Sequence, residues 1–173
     1  MALKRDITPP EKLQPHHSLK TFDSGKPDLD EWLRKRALRN EETGASRTYV
    51  VCIKKKVIGF YALAVGSIEA EKAAGKIKRN MPDPIPVMII GRLAVDQKYQ
   101  KDGIGRGLIR DAVLRIVQAA EIAGIRAILV HALGEDAEIF YQRCGFRASP
   151  LDSMTLMITV ADAIKELTTG GQH

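Results

Sequence analysis

The sequence predicts a single α/β domain, and three observations predict it. A strand-type run, Ile89-Ile90-Gly91-Arg92-Leu93-Ala94-Val95, leads through the glycine-dense Gln100-Lys101-Asp102-Gly103-Ile104-Gly105-Arg106-Gly107 into a helical pattern. Strand-type and helix-type patterns then alternate through the second half of the chain. The 173 residues are 45% hydrophobic, enough for one sizeable core, and no Gly/Ser linker or repeat marks a second domain, so residues 1–173 are read as one unit. There is no charged-then-apolar leader and no apolar run of about 18 residues. The expected location is therefore the bacterial cytoplasm, with no membrane association.

The first helix is expected from Asp28-Leu29-Asp30-Glu31, an acidic N-cap with Glu three residues on. Leu29, Trp32, Leu33 and Ala37 form its apolar stripe, and it closes around Gly44. A β-hairpin follows: Ser46 to Ile53, a turn at Lys54-Lys55-Lys56, and a return over Val57 to Ser67. Asn80-Met81-Pro82-Asp83-Pro84-Ile85-Pro86 carries three prolines, which disfavour helix and stiffen the approach to the central strand, Met88 to Val95. After the glycine loop, Leu108, Ile109, Ala112, Val113, Ile116, Val117 and Ala120 recur at helical spacing, and Gly124 closes the helix. Ile125 to Val130 is a buried-type strand, Glu135 to Tyr141 opens another helix, and Arg143-Cys144-Gly145-Phe146 ends it. Met154 to Thr159 and Val160 to Leu167 read as a last strand and helix, before a polar Thr-Thr-Gly-Gly-Gln-His tail expected to fray.

A helix start presents unpaired N–H groups and the positive end of the peptide dipoles, and glycines let that backbone come close to an anion. The loop therefore suits a pyrophosphate. A nucleotide P-loop would need Gly-Lys-Ser/Thr, which does not follow these glycines. A dinucleotide fold would need its first glycine directly after the strand and an acidic residue at the end of the next one. Here seven residues separate Val95 from Gly103, and the next strand ends at His131.

Gln-x-x-Gly-x-Gly after a strand resembles the acetyl-CoA loop of the GNAT N-acetyltransferases. That resemblance implies a GNAT fold, a single mixed central sheet flanked by helices, with acetyl-CoA as co-substrate. It further implies that Leu93, Ala94 and Val95 offer backbone to the pantetheine arm, and that the loop from Gln100 through Lys101, Asp102, Gly103, Ile104, Gly105 and Arg106 to Gly107 holds the pyrophosphate. Ala137 to Phe146, with its Phe140-Tyr141 pair and Gly145-Phe146, is similar to the family's signature helix. Tyr141 then takes the place of the general acid. A phenol with a reference pKa near 10 stays protonated at neutral pH and can donate to a departing thiolate. The competing reading packs Tyr141 against Phe140 and the sheet.

The Leu-Asp-x-Trp-Leu helix, Ser-Arg-Thr-Tyr-Val strand and Gly-Arg-Leu-Ala-Val-Asp segment, together with Ala-x-x-Phe-Tyr, narrow the resemblance to TacT-like toxins of bacterial toxin–antitoxin modules, over about residues 16 to 160. It implies acetylation of the α-amine of aminoacyl-tRNA, silencing by a ribbon-helix-helix antitoxin, contact with operator DNA only through that antitoxin, and a homodimer. These relatives commonly carry Gly directly after the loop's Tyr-Gln, where this chain has Lys101.

Net charge is +6, from 27 Lys and Arg against 21 Asp and Glu, which permits an RNA substrate without requiring one. Two basic clusters are candidate tRNA contacts: Arg34, Lys35, Arg36 and Arg39 on the first helix, and Lys78 and Arg79 before the central strand, followed by Arg92 on it. The bland alternative is a solvated face. Met88 to Val95 contains no acidic residue to deprotonate an ammonium, and Asp96 lies past its end. An acceptor that loses its proton easily is thereby favoured: an α-amine has a reference pKa near 8, a lysine near 10.4. The alternative substrates are a protein N-terminus or a small-molecule amine, and the non-enzymatic alternative is a CoA-sensing or RNA-binding module.

Cys52 and Cys144 are read as free thiols, and Cys144 lacks a His placed by sequence to activate it. His16-His17, His131 and His173 show no paired metal-ligand spacing, so no metal is expected. His131, at a strand end, is expected to be structural rather than catalytic.

Overall fold

The chain's hairpin sets the local geometry of its first half. The computed structural model describes residues 6–73 and 75–169. Strands β2 (Arg47–Ile53) and β3 (Lys56–Ile68) pair antiparallel from Arg47↔Leu63 to Ile53↔Lys56, with a register shift between Val51 and Cys52. Lys54, in the two-residue turn, takes φ +57°, the left-handed conformation that tight hairpins demand. A short β1 (Glu11–Lys12), which the sequence pattern did not mark, pairs with Val50 and Tyr49 of β2. Seven strands form one mixed sheet in the order β1, β2, β3, β4 (Ile85–Val95), β5 (Ala127–His131), β7 (Thr155–Thr159) and β6 (Arg147–Ala148).

Two compact units divide the chain. The first comprises residues 1–64 and 91–111. Its helical part is α1 (Pro27–Trp32), a π-helical turn (Leu33–Ala37) and α2 (Leu38–Thr43). The expected stripe is buried: Leu29, Trp32, Leu33 and Ala37 pack with Phe22, Val50, Val57, Phe60, Ala62 and Ala94. Each large apolar side chain buried there contributes about 1.5–3 kcal/mol, and the Trp32–Phe60 and Phe22–Phe60 ring contacts add to it.

The expected acidic capping box at Asp28 is corrected. The helix is capped at Lys26 with Pro27 in the first turn, because proline's missing N–H costs nothing there. Buried Asp30 instead reaches back, accepting from the Ser24 N–H (3.1 Å) and its hydroxyl (2.6 Å).

The second unit comprises residues 65–90 and 112–173. Val87–Ile90 of β4 (Ile85–Val95) pair in parallel with Ala127–Val130 of β5 (Ala127–His131), and β5 pairs antiparallel with β7 (Thr155–Thr159). The two-residue β6 (Arg147–Ala148) lies on the far side of β7. Ile68, Ala73, Ile77, Ile85, Val87, Ala127, Leu129 and Met157 form its core, matching the continuous apolar runs expected of strands buried on both faces. Ile77 comes from the short helix α3 (Gly75–Lys78).

β4 starts earlier than its prolines suggested. Pro86 lies before the ladder begins at Val87 and uses only its carbonyl, which accepts from Arg126 N–H at 3.0 Å, so the missing donor is not needed. Helix α4 (Ile104–Ala123) runs from one unit into the other and ends at Gly124 (φ +71°), as expected. Helices α5 (Glu135–Arg143) and α6 (Val160–Thr169) complete the second unit. Helix α6 extends through Thr168 and Thr169 of the expected tail, and both hydroxyls donate to the Lys165 carbonyl. The rest of the expected tail, residues 170–173 with His173, lies outside the described residues.

Candidate active site

In the first unit, the loop after β4 is built from backbone and anchored by polar side chains. Asp96 N–H donates to the Ile58 carbonyl at 2.8 Å, and its buried carboxylate accepts from Lys98 N–H (3.0 Å) and Asp23 N–H (3.1 Å). The carboxylate is thus committed to shaping the Gln97–Tyr99 turn, consistent with its exclusion as a base. Gln100 clamps the loop to the strand, its side-chain amide donating to Val95 O (2.8 Å) and Ser24 O (3.0 Å). Asp23 and Ser24 escaped the sequence reading, because no local pattern connects them to a loop over 70 residues away.

Beyond Gln100 the backbone turns left-handed twice, at Lys101 (φ +72°) and Gly103 (φ +83°). A Cβ at Gly103 or Gly107 would meet nothing within 4 Å. The space in front of the turn is therefore open, and Gly103 is required by conformation rather than by crowding. Helix α4 starts at Ile104, and its first carbonyl partner is Gly103, which accepts from Gly107 N–H at 3.1 Å. The N–H groups of Ile104, Gly105 and Arg106 have no partner within the helix, and with the helix dipole they make an anion cradle. Among the residues read as cofactor-binding, Ala94 has its side chain in the core and can offer only backbone; Leu93 and Val95 are half-buried. Lys101 and Asp102 are exposed.

The basic residues of the first helix separate by role. Arg34 donates to the Phe22 carbonyl at 2.9 Å, a structural tie, and Lys35 forms an exposed i,i+4 pair with Glu31 at 3.0 Å. Arg36 and Arg39 are exposed and make no ion pair among the described residues. Arg92 is half-buried, its guanidinium carbon 4.4 Å from the Trp32 ring centroid. Burial, and then the neighbouring Arg36 charge, lower its pKa below the ordinary arginine value. Arg92, Trp32, Arg36, Lys35, Asn40, Asp28 and Glu31 line an open cleft of about 500 Å³. The sequence reading placed Trp32 in the core stripe and did not connect it to Arg92.

In the second unit, Lys78 and Arg79 are exposed at the end of α3. Tyr141 is buried near the end of α5, its ring edge-on to Phe140 (5.3 Å) and Phe146 (5.8 Å). The ring packs against Phe140 as the competing reading expects, and the hydroxyl has no hydrogen-bond partner among the described residues. Burial, with a smaller contribution from Cys144, pushes the phenol well above its ordinary value, so it stays protonated through the physiological range. Cys144 caps the helix, its N–H donating to Phe140 and Tyr141 carbonyls.

His131 is structural, as expected: Nδ1 faces Thr155 Oγ1 at 3.2 Å, and that hydroxyl donates to Asp152 at 2.8 Å. Glu11, His17 and Cys52 bring three metal-ligating atom types within 4.8 Å of one another. His17 Nδ1 accepts from Gln14 N–H (2.9 Å), which puts the neutral ring's proton on Nε2, where it donates to Glu11 (2.9 Å). Burial, first, and the Glu11 charge push the Cys52 thiol up to about 11, so it stays protonated too.

Residues 44–148 match the model of the acetyltransferase (GNAT) domain. The chain is 49% identical over 154 residues to a tRNA-acetylating toxin of Mycobacterium tuberculosis (strain ATCC 25618 / H37Rv), covering 89% of this chain and 93% of that one. Its fold resembles AtaT complexed with acetyl-methionyl-tRNAfMet, with a TM-score of 0.86, 27% identity, and coverage of 95% of this chain and 100% of that one. It also resembles a tyrosine-to-phenylalanine variant of the AtaT toxin bound to the C-terminus of the antitoxin AtaR and acetyl-CoA (TM-score 0.80, 27% identity, 94% and 99% covered). The open glycine turn at a helix start and the tyrosine packed between Phe140 and Phe146 thus occur in a chain that belongs to the GNAT acetyltransferase family.

Proposed function

We propose that this enzyme transfers the acetyl group of acetyl-CoA to the α-amino group of aminoacyl-tRNA, blocking the peptide bond that amine would form, as the toxin of a toxin–antitoxin pair. The observation that carries the reading is the 49% identity to a tRNA-acetylating toxin over nearly the full length of both chains. The acetyltransferase activity belongs to one domain spanning residues 1–173.

Acetyl-CoA is held through backbone groups of Leu93, Ala94 and Val95 and of the loop Gln100, Lys101, Asp102, Gly103, Ile104, Gly105, Arg106 and Gly107. The N–H groups at the start of α4 receive the pyrophosphate. The open turn at Gly103 supports this, because nothing there obstructs an anion. The donors offered are amides and cationic side chains, which suit phosphate oxygens, and the assigned set includes no metal.

The neutral α-amine attacks the thioester carbonyl carbon, the carbon–sulfur bond breaks, and the sulfur receives the proton of Tyr141. The ammonium formed on nitrogen gives its proton to solvent, and Tyr141 is reprotonated from solvent. No carboxylate on residues 88–95 assists, which suits an α-amine that titrates near pH 8 and not a lysine near 10.4. Arg34, Lys35, Arg36, Arg39, Lys78, Arg79 and Arg92 are assigned to the tRNA. Arg34 and Lys35 contribute least, because their charges already have partners.

The partners are a ribbon-helix-helix antitoxin, operator DNA through that antitoxin only, and a second copy of this chain in a homodimer. The location is the bacterial cytoplasm, and among the described residues no helix is long and apolar enough to cross a membrane.

The test is incubation with labelled acetyl-CoA and charged or uncharged tRNA, beside Tyr141→Phe. Label in charged tRNA alone, lost in the variant, is expected. No label in any tRNA overturns the reading and turns attention to peptide N-termini and small amines.

A further inference from the structure

The contact between Arg92 and Trp32 suggests more than a phosphate clamp. Trp32 is 7% exposed and stacks on Phe60, with ring centroids 6.1 Å apart and planes 13° apart, so the indole cannot move without disturbing the core of its unit. Arg92 lies over that ring and is thereby tied to a rigid base, unlike the exposed Arg36 and Arg39. The helix beneath it carries a π-helical turn at Leu33–Ala37, a departure from the α-helix that is frequent at functional sites.

The cleft around this pair is chemically mixed. Besides Arg92, Arg36 and Lys35 it is lined by Asp28, Glu31 and Asn40. A pocket for phosphate alone would not place two carboxylates on its wall, since they repel the anion. A nucleobase, however, presents both donors and acceptors on its edge, which carboxylates and an amide can answer. A guanidinium plane braced from behind is a surface on which an unpaired base stacks.

We propose that Arg92, held on the Trp32 indole, is a stacking platform for an unpaired base at the 3′ end of the acceptor RNA, with Asp28 and Asn40 on the cleft wall available to the base edge while Glu31 pairs with Lys35. This rests on the aminoacyl-tRNA reading above and adds to it the part of the RNA that is recognised and the kind of contact.

The experiment uses tRNA carrying 2-aminopurine singly at each unpaired 3′ position, with wild-type protein and Arg92→Lys, which keeps the charge and loses the plane. Quenching at one of those positions by wild type, lost in Arg92→Lys, is expected. Binding should weaken by about tenfold in that variant, the scale of one lost base stack, while the slope of log affinity against log salt stays the same. If Arg92 were a phosphate contact instead, the lysine variant would bind as wild type, and Arg92→Ala would lower that slope by about one. Binding of tRNA without quenching at any 3′ position, or quenching that survives Arg92→Lys, overturns the stacking proposal and leaves the substrate reading intact. Failure of wild type to bind or acetylate any tRNA overturns the substrate reading itself. Circular dichroism of Arg92→Lys checks that the variant is folded.

Discussion

The loop of residues 96–107 and the helix end of residues 135–146 carry their chemistry in opposite ways. The loop works through backbone: its shape is set by the Asp96 carboxylate, the Gln100 amide and two left-handed residues, and its useful groups are N–H donors any residue possesses. In the proposed mechanism the helix end works through one atom, the Tyr141 hydroxyl, whose ring packs against Phe140 and Phe146. Side-chain changes should therefore damage the loop only when they alter its conformation, whereas at Tyr141 removing a single oxygen suffices.

The largest effect is expected at Tyr141. Tyr141→Phe keeps the ring contacts and removes the proton donor, so kcat should fall by about 10²- to 10⁴-fold, the usual range for general-acid catalysis. Acetyl-CoA affinity should stay near wild type, which calorimetric titration would check. Because burial raises the phenol, it keeps its proton on the alkaline side. The wild-type rate should then climb with pH through the amine's titration and show no tyrosine-linked fall up to about pH 10. A fall below that pH would remove Tyr141 from the acid's role.

Gly103→Val tests the loop from its own side. The Cβ would find open space, but φ +83° strains a β-branched residue by about 1–3 kcal/mol. Acetyl-CoA should bind about tenfold or more weakly, with kcat at saturating cofactor much less affected. Wild-type affinity in this variant would show that the turn is not a cofactor element.

Gly59→Ala probes the support beneath that loop. A Cβ there would lie 3.0 Å from Val51 Cγ2, 3.3 Å from Leu108 Cδ1 and 3.4 Å from Ile104 Cγ2, the last two at the start of α4. Overpacking should lower stability by about 1–3 kcal/mol, measured by urea unfolding. A neutral result would mean that α4 shifts without penalty.

The smallest effect is expected at Lys101, which occupies a left-handed turn position (φ +72°). Lys101→Gly relieves strain in the folded chain but loosens the unfolded one, and the two nearly offset. Stability should change by less than about 1 kcal/mol, and acetyl-CoA should bind about as well as before.

Much of this molecule is legible from its residues because its signals are local. The hairpin, helix α4, the Gly124 stop and the Tyr141 helix each declare themselves within about twenty residues, through a period of two or of 3.6 and a turn residue at the end. The departures arise where distant parts compete with local propensity. Asp28 reads as an N-cap, yet Pro27 moved the helix start and Asp30 answered Ser24 instead. The prolines before β4 read as a loop, yet Ile85 was drawn into the strand by the core it joins.

The sequence by itself determined the family, through a glycine turn between strand and helix and a tyrosine on a later helix, and it places no acid on the central strand. Only the tertiary structure decided which basic residues already have partners and which are available, because Arg34's partner is a carbonyl 12 residues away and Arg92's is an indole 60 residues away. Backbone geometry is written in neighbours along the chain, whereas charge pairing depends on which side chains the core brings together.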